Sequence, residues 1–169
     1  MGKRAYVFPG QGSQSVGMGR AIADNSRLAK GVFAEADEVL DFPLSALCFE
    51  GPEEELNLTE NTQPALLTTS VALWKEFEAH APEPDYVAGH SLGEYSALVA
   101  AGSLAFADAV RVVRARGQLM EAAVPAGNGA MAAVLGLDRE TLETLCRDVS
   151  TERETVELAN LNCPGQIVI

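Results

Sequence analysis

The chain has 169 residues, 47% of them hydrophobic, and a formal net charge of −12. That length and apolar content support a globular domain with a core and exclude disorder as the default state. Phosphate backbones are gripped by clustered Lys and Arg; this acidic chain has no such cluster, so nucleic-acid binding is excluded and any anionic substrate must meet a local positive site.

Cys48, Cys146 and Cys163 are odd in number and widely spaced, with no CxxC pair and no histidine at ligand distance, which supports neither a zinc site nor a disulfide framework. The opening residues MGKRAYVFPG lack the apolar region and small-residue cleavage site of a secretory leader. The longest apolar stretch, Ser96 to Ala107, carries Gly102 and Ser103 and is too short to span a bilayer. The expectation is a reducing, cytoplasmic setting without a membrane partner.

Ala5 to Phe8 reads as a short strand closed by Pro9 and Gly10, and a glycine-rich loop runs on to Gly19. Leu28 to Leu40 has helical spacing. Pro43 to Asn57 reads as short helical pieces around Gly51-Pro52, with Glu53-Glu54-Glu55 as a solvated helix start. Thr62 to His80 is predicted as a long helix with Pro64 in its first turn and a stop at Ala81-Pro82. A short buried strand, Tyr86 to Ala88, leads into helices at Leu92 to Ala101, ended by Gly102, and Phe106 to Ala123, ended by Pro125 and Gly127. Strand followed directly by helix is the pattern of a parallel α/β sheet.

After Gly129 the texture changes: Ala130 to Leu135 reads as a strand, Arg139 to Val149 as a helix, and Thr155 to Ala159 and Gln166 to Ile169 as strands. Residues 1–127 are therefore expected to form a large α/β unit and 128–169 the beginning of a small α+β one. Gln166 to Ile169 reads as the middle of a buried strand, so the chain is expected to be part of a longer protein.

Gly89-His90-Ser91-Leu92-Gly93 fits the G-x-S-x-G nucleophile elbow, with a predicted strand before it and a helix after it. Such a turn strains the serine backbone, lets strand and helix approach through the flanking glycines, and sets the positive end of a helix under Oγ. An ordinary glycine turn is the plainer alternative, and the elbow by itself does not separate esterase, thioesterase and transferase.

Gly10-Gln11-Gly12-Ser13-Gln14 also follows a strand. A dinucleotide-binding loop starting at Gly10 would need Gly at Ser15, and a P-loop starting at Gly12 would need Lys at Met18, so both phosphate readings fail. The loop can instead be a plain turn, or it can turn a backbone N–H toward the elbow. Acyl transfer needs two such donors, and Gln11 N–H with Leu92 N–H is the expected pair.

In the helix from Phe106, Val112, Arg116, Leu119 and Met120 share one face, read as the core face, while Arg111, Arg114, Gln118 and Glu121 share the polar one. An inward guanidinium needs a partner: a substrate carboxylate, or an acidic side chain such as Glu94. A serine nucleophile also needs a base. Of the two histidines, His80 ends a helix, and His90 is the neighbour of Ser91 across a sharp turn, where side chains point apart. No base is visible.

GQGSQ at 10–14, TQPALL at 62–67, GHSLGEYSAL at 89–98, RGQLM at 116–120 and the NxNxPGQ run at 160–166 together resemble the bacterial malonyl-CoA:acyl-carrier-protein transacylases and the acyltransferase domains of polyketide synthases, in order along the whole chain. The resemblance implies an α/β-hydrolase-like large subdomain with an inserted ferredoxin-like small one, incomplete here. It implies ping-pong transfer from malonyl-CoA through a Ser91 ester to the phosphopantetheine thiol of acyl carrier protein, without metal or redox cofactor. Carried over by motif, Gln11 and Leu92 form the oxyanion hole and Arg116 holds the malonyl carboxylate. Gln63, Met120, Asn160 and Asn162 line the pocket, and His90 is counted with the substrate-binding residues. The family's catalytic histidine lies beyond Ile169, so a complementary C-terminal segment is an expected partner. A hydrolase and a non-catalytic module that binds carrier protein or a partner subunit are the alternatives.

Overall fold

Ala5–Phe8 (β1) and Tyr86–Gly89 (β2) pair in parallel, from Ala5 opposite Tyr86 to Phe8 opposite Gly89. The structure, a computed structural model, describes residues 2–124 and 127–169. Because the two strands run in parallel and in register, the loop after Phe8 and the turn after Gly89 both leave at the carboxyl ends of the strands, which is where α/β sheets build their sites.

Between the strands lie Arg20–Asn25 (α1), Arg27–Leu40 (α2), Leu44–Glu50 (α3), Glu53–Leu56 (α4) and Thr59–Glu78 (α5); Leu92–Ala100 (α6) and Phe106–Ala123 (α7) follow. Ser26 caps α2, its side chain accepting from Ala29 N at 3.1 Å. The two short helices on either side of Gly51-Pro52, and the acidic start of the second, match the sequence reading. Helix α1 was absent from it: six residues beginning after a left-handed Gly19 are too short for periodicity to register.

Helix α5 is the centre of this unit, with every residue from Asn61 to Ala72 buried. A helix enclosed on all sides carries a weak amphipathic signal. It begins at Thr59, three residues before the predicted start, which moves Pro64 from the first turn to the second. Phe33, Leu44, Leu56, Leu67, Val71, Leu92, Val110 and Val113 belong to the core around it. Phe8 and Trp74 join Ala97 in a smaller cluster on the sheet.

The described residues divide into two compact units, Met1–Val124 and Pro125–Ile169. The predicted helix stop at Pro125 lies outside the described residues. In the second unit, Ala133–Leu135 (β3), Arg139–Val149 (α8), Asn160–Cys163 (β4) and Gln166–Val168 (β5) form a three-stranded antiparallel sheet, order β3-β5-β4, with one helix. Ala130 to Ala132 lie outside the strand predicted to begin there.

The strand predicted at Thr155 to Ala159 is not one. Val156 N donates to Ser150 Oγ at 2.9 Å, which ties the segment to the end of α8, and Val156 and Leu158 pack on Leu142, Cys146 and Ile167. The pairing strand is the next segment, with Asn160 opposite Val168 and Leu161 opposite Ile167. The apolar residues there mark packing on a helix, and the ladder passes to a segment whose asparagines carry low strand propensity.

Candidate active site

The elbow is built by backbone against backbone. A Cβ on Gly89 would stand 2.0 Å from Gly93 C and O, and one on Gly93 would stand 2.4 Å from Phe8 O. A Cβ on Gly10 would reach His90 O at 2.8 Å. Only glycine allows β2, α6 and the loop after β1 to close on one another. Ser91, squeezed between them, has φ 54° and ψ −109°. Holding a non-glycine residue there costs on the order of 1–3 kcal/mol, and such strain gathers at functional sites. The serine is exposed, whereas Leu92, the first residue of α6, is fully buried.

Arg116 reaches this serine from α7. Its Nη2 donates to Ser91 Oγ at 2.9 Å and its Nη1 to Gln63 Oε1 at 2.7 Å, while the guanidinium carbon stands 5.9 Å from the Tyr95 ring centroid. Guanidinium has donors only, so Gln63 must turn its oxygen toward it and its amide nitrogen away. That nitrogen lies 3.2 Å from Met120 Sδ and 3.5 Å from Gln11 Oε1, the latter at the limit of a hydrogen bond. Each Arg116 Nη carries two hydrogens and uses one here, so each keeps a donor for a ligand.

The structure thus brings Ser91, Arg116, Gln63, Met120 and Gln11 into one connected set. Gln11 also points its Nε2 at Thr59 Oγ1, 3.4 Å away. Its backbone N–H is taken up by no other backbone group among the described residues, and Leu92 N–H heads a helix, where the first N–H groups have no intrahelical acceptor. Among the described residues neither histidine bonds to Ser91: His80 Nε2 lies 3.4 Å from Glu76 Oε1, and His90 is exposed beside the serine. Asn160 and Asn162 stand on β4 of the second unit, where Asn162 Nδ2 donates to Gln166 Oε1 at 3.1 Å.

Two readings of α7 need correction. Its core stripe is Ala109, Val110, Val113 and Gly117; Val112, Leu119 and Met120 are exposed and Arg116 is half-buried. The small residues face α5 because the helices touch backbone to backbone: a Cβ on Gly117 would lie 2.6 Å from Glu60 Cα. Arg116 therefore sits at the rim of the crossing and pairs with Gln63 and Ser91, with no ion pair to Glu94 among the described residues. Conversely, Arg114, assigned to the polar face, is half-buried against α5. The sequence marks only the acceptor: a proline inside a helix, here Pro64, leaves a carbonyl four residues back in need of a donor, and the fold decides which donor fills it.

The acyl transferase domain family matches residues 5–169. The chain is 59% identical to the malonyl CoA-acyl carrier protein transacylase of Bacillus subtilis strain 168, over 100% of this chain and 53% of that protein. It is similar, with a TM-score of 0.91 and 46% identity, to the solved malonyl CoA-acyl carrier protein transacylase of Coxiella burnetii, covering 98% of this chain and 52% of that one. It is also similar to a malonyl-transacylase solved in complex with its type II PKS acyl-carrier protein: TM-score 0.90, 49% identity, 99% of this chain and 54% of that one. The chain spans about half the length of the curated relatives it matches.

Proposed function

The chain belongs to the acyl transferase domain family, and from that premise we propose that it carries Ser91 as the acyl acceptor of a malonyl-CoA:acyl carrier protein transacylase, in fatty-acid or polyketide synthesis. The observation that carries the reading is the 2.9 Å contact between Arg116 Nη2 and Ser91 Oγ. A malonyl ester has its carboxylate two carbons from the ester carbonyl, within reach of a guanidinium that already touches the ester oxygen. A planar fork suits that carboxylate, and Gln63 holds the fork in place.

In the proposed cycle Ser91 Oγ attacks the thioester carbon, its proton passes to a base, and the negative charge on the carbonyl oxygen is met by Gln11 N–H and Leu92 N–H. Coenzyme A leaves as the thiol with the proton the base returns. The phosphopantetheine thiol of the carrier protein then attacks the ester and frees Ser91. The base is supplied by a histidine on a complementary C-terminal segment. Val7, Leu73 and Phe77 present an apolar face beside β1 for that segment to cover, and relatives are about twice as long.

In the same reading the first unit is α/β-hydrolase-like, with Met120 and His90 among its substrate-binding residues, and 128–169 is the beginning of a ferredoxin-like subdomain that carries Asn160 and Asn162. A cytoplasmic setting goes with it, supported by three free thiols. No helix among the described residues is long and apolar enough to cross a membrane.

The test is intact-mass spectrometry after brief exposure to malonyl-CoA or acetyl-CoA, with and without a polypeptide supplying the relatives' remaining half. The expected result is a malonyl adduct on Ser91 with the added segment, lost in S91A. In R116A the preference for malonyl over acetyl should collapse. Free malonate as the main product would sink the transferase reading in favour of a hydrolase, and no adduct under either condition would leave a binding module.

A further inference from the structure

The proline inside α5 leaves one acceptor without its helical donor. Pro64 has no N–H, so the carbonyl of Glu60 lacks the bond that residue 64 would otherwise make to it. Arg114 supplies the donor: its Nη1 lies 2.9 Å from Glu60 O and also donates to Asn61 Oδ1, and its Nη2 lies 3.5 Å from Glu60 Oε2. The guanidinium stands 5.6 Å from the centroid of Phe42, and the side chain is 23% exposed. One planar group thus satisfies a main-chain oxygen, an amide oxygen and a carboxylate, which a lysine, as a point charge, does less well.

Arg114 and Arg116 flank Gly117, the point at which α7 lies against the backbone of Thr59 and Glu60. On a helix, residue 114 falls about 60° to one side of residue 117 and residue 116 about 100° to the other. The two arginines therefore grip the start of α5 from both sides of the crossing, Arg114 on Glu60 and Asn61, Arg116 on Gln63. Sliding or rotating α7 would break the Arg114 contacts and carry Arg116 away from Gln63 and Ser91 together.

We propose that Arg114 is a positioning residue for Arg116: by filling the carbonyl opened by Pro64 it fixes the register of α7 on α5, and so decides whether the Arg116 fork is aimed at a carboxylate beside Ser91. This rests on the carboxylate-binding reading of Arg116. Arg114 itself touches no substrate. A purely structural clamp would cost stability when removed and leave ligand preference unchanged.

The test uses the 169-residue chain, malonate and acetate as probe ions, and the Nε–H resonance of Arg116 in nuclear magnetic resonance. In the wild type, malonate moves that resonance at concentrations where acetate does not. R114Q should move it without any ligand and weaken malonate binding about ten-fold or more, the scale of one charged hydrogen bond. R114K should show a smaller shift of the same sign and serves if R114Q fails to fold. In R114Q/P64A, where residue 64 regains an N–H for Glu60 O, stability should return but malonate preference should not. An unmoved Arg116 resonance in both R114Q and R114K overturns the positioning role, as does recovery of malonate preference along with stability in R114Q/P64A. A wild type that binds malonate no better than acetate instead overturns the carboxylate reading, and the ligand-free resonance still reports on positioning.

Discussion

The two compact units hold their shape by different means. In the first, main chain meets main chain: Gly89 against Gly93, Gly93 against Phe8 O, Gly117 against Glu60, all around an extensively buried α5. In the second, a small centre of Leu142, Cys146 and Ile167 is supplemented by side chains bonding to nearby backbone, Asp138 to Thr141 N and Ser150 to Val156 N. Backbone contact fixes geometry to a fraction of an ångström because no rotamer can absorb an error. That is what a strained serine and a two-point arginine require, and the site residues that touch one another all lie in the first unit.

The comparison breaks first if glycines in the first unit tolerate a methyl group. Gly93→Ala would press Cβ to 2.4 Å from Phe8 O and 2.9 Å from Pro9 O, main-chain atoms rather than a flexible side chain that could move aside. We expect a loss of about 4 kcal/mol or more, read as a collapse of the thermal transition followed through the fluorescence of Trp74, the one tryptophan. Gly31→Ala is the counterpart: exposed in α2, with nothing within 4 Å of its Cβ, it should stabilise the same unit by about 0.5–1 kcal/mol. A Gly93→Ala protein melting with the wild type would show that the elbow is looser than its contacts imply.

The burial of the first unit also sets its response to alkali. Cys48 is fully buried, and burial, reinforced by the Asp37 carboxylate and partly offset by the neighbouring Thr69 hydroxyl, pushes its thiol up from 9.0 to about 12. Well below pH 9 the thiol is protonated folded or unfolded and contributes no pH dependence. From there to about pH 12 the unfolded chain gives up the proton and the folded one keeps it, so stability falls by about 1.4 kcal/mol per pH unit. Denaturation midpoints followed at Trp74 from pH 8 upward should slope down in the wild type and less steeply in C48A, the difference isolating this thiol from lysines and tyrosines. Parallel slopes would mean that the thiol ionises in the folded state as readily as in the unfolded one.

How much was legible follows the same division. The elbow, the place of the strand before it and the bounds of α7 could be read because glycine spacing and long apolar periods are local properties, but that strand, expected to be buried, is exposed or half-buried along its length. The face of α7 could not, because its contact stripe is Ala109, Val110, Val113 and Gly117, while the larger Val112 and Leu119 are exposed and Met120, also exposed, reaches Gln63 at the site. Arg114 was hidden for a related reason: its partner is a carbonyl freed by a proline some fifty residues earlier, and only the fold brings them together. Thr155 to Ala159 looked like a strand because its apolar alternation is real, but it serves packing on α8, and pairing falls to Asn160–Cys163.

The smallest expected effect belongs to the second unit and has the opposite sign in pH. Asp138 caps α8, its carboxylate accepting from Thr141 N at 2.9 Å and from Thr141 Oγ1 at 2.8 Å, and the first of these bonds is the main reason its pKa lies below 3.8. A depressed carboxyl contributes its stability above the unfolded pKa and loses it as pH falls through the folded one. Acid should therefore loosen the start of α8 while alkali, through Cys48, loosens the first unit. Amide exchange at Thr141 and Leu142 should quicken as pH falls below 3.8, once corrected for the intrinsic exchange rate, with little change at Val71 in α5. Asp138→Ala should remove that step and quicken exchange at neutral pH, whereas Asp138→Asn, which still caps but does not titrate, should remove the step alone. Equal acid sensitivity at Leu142 and Val71 would show that the two units open as one.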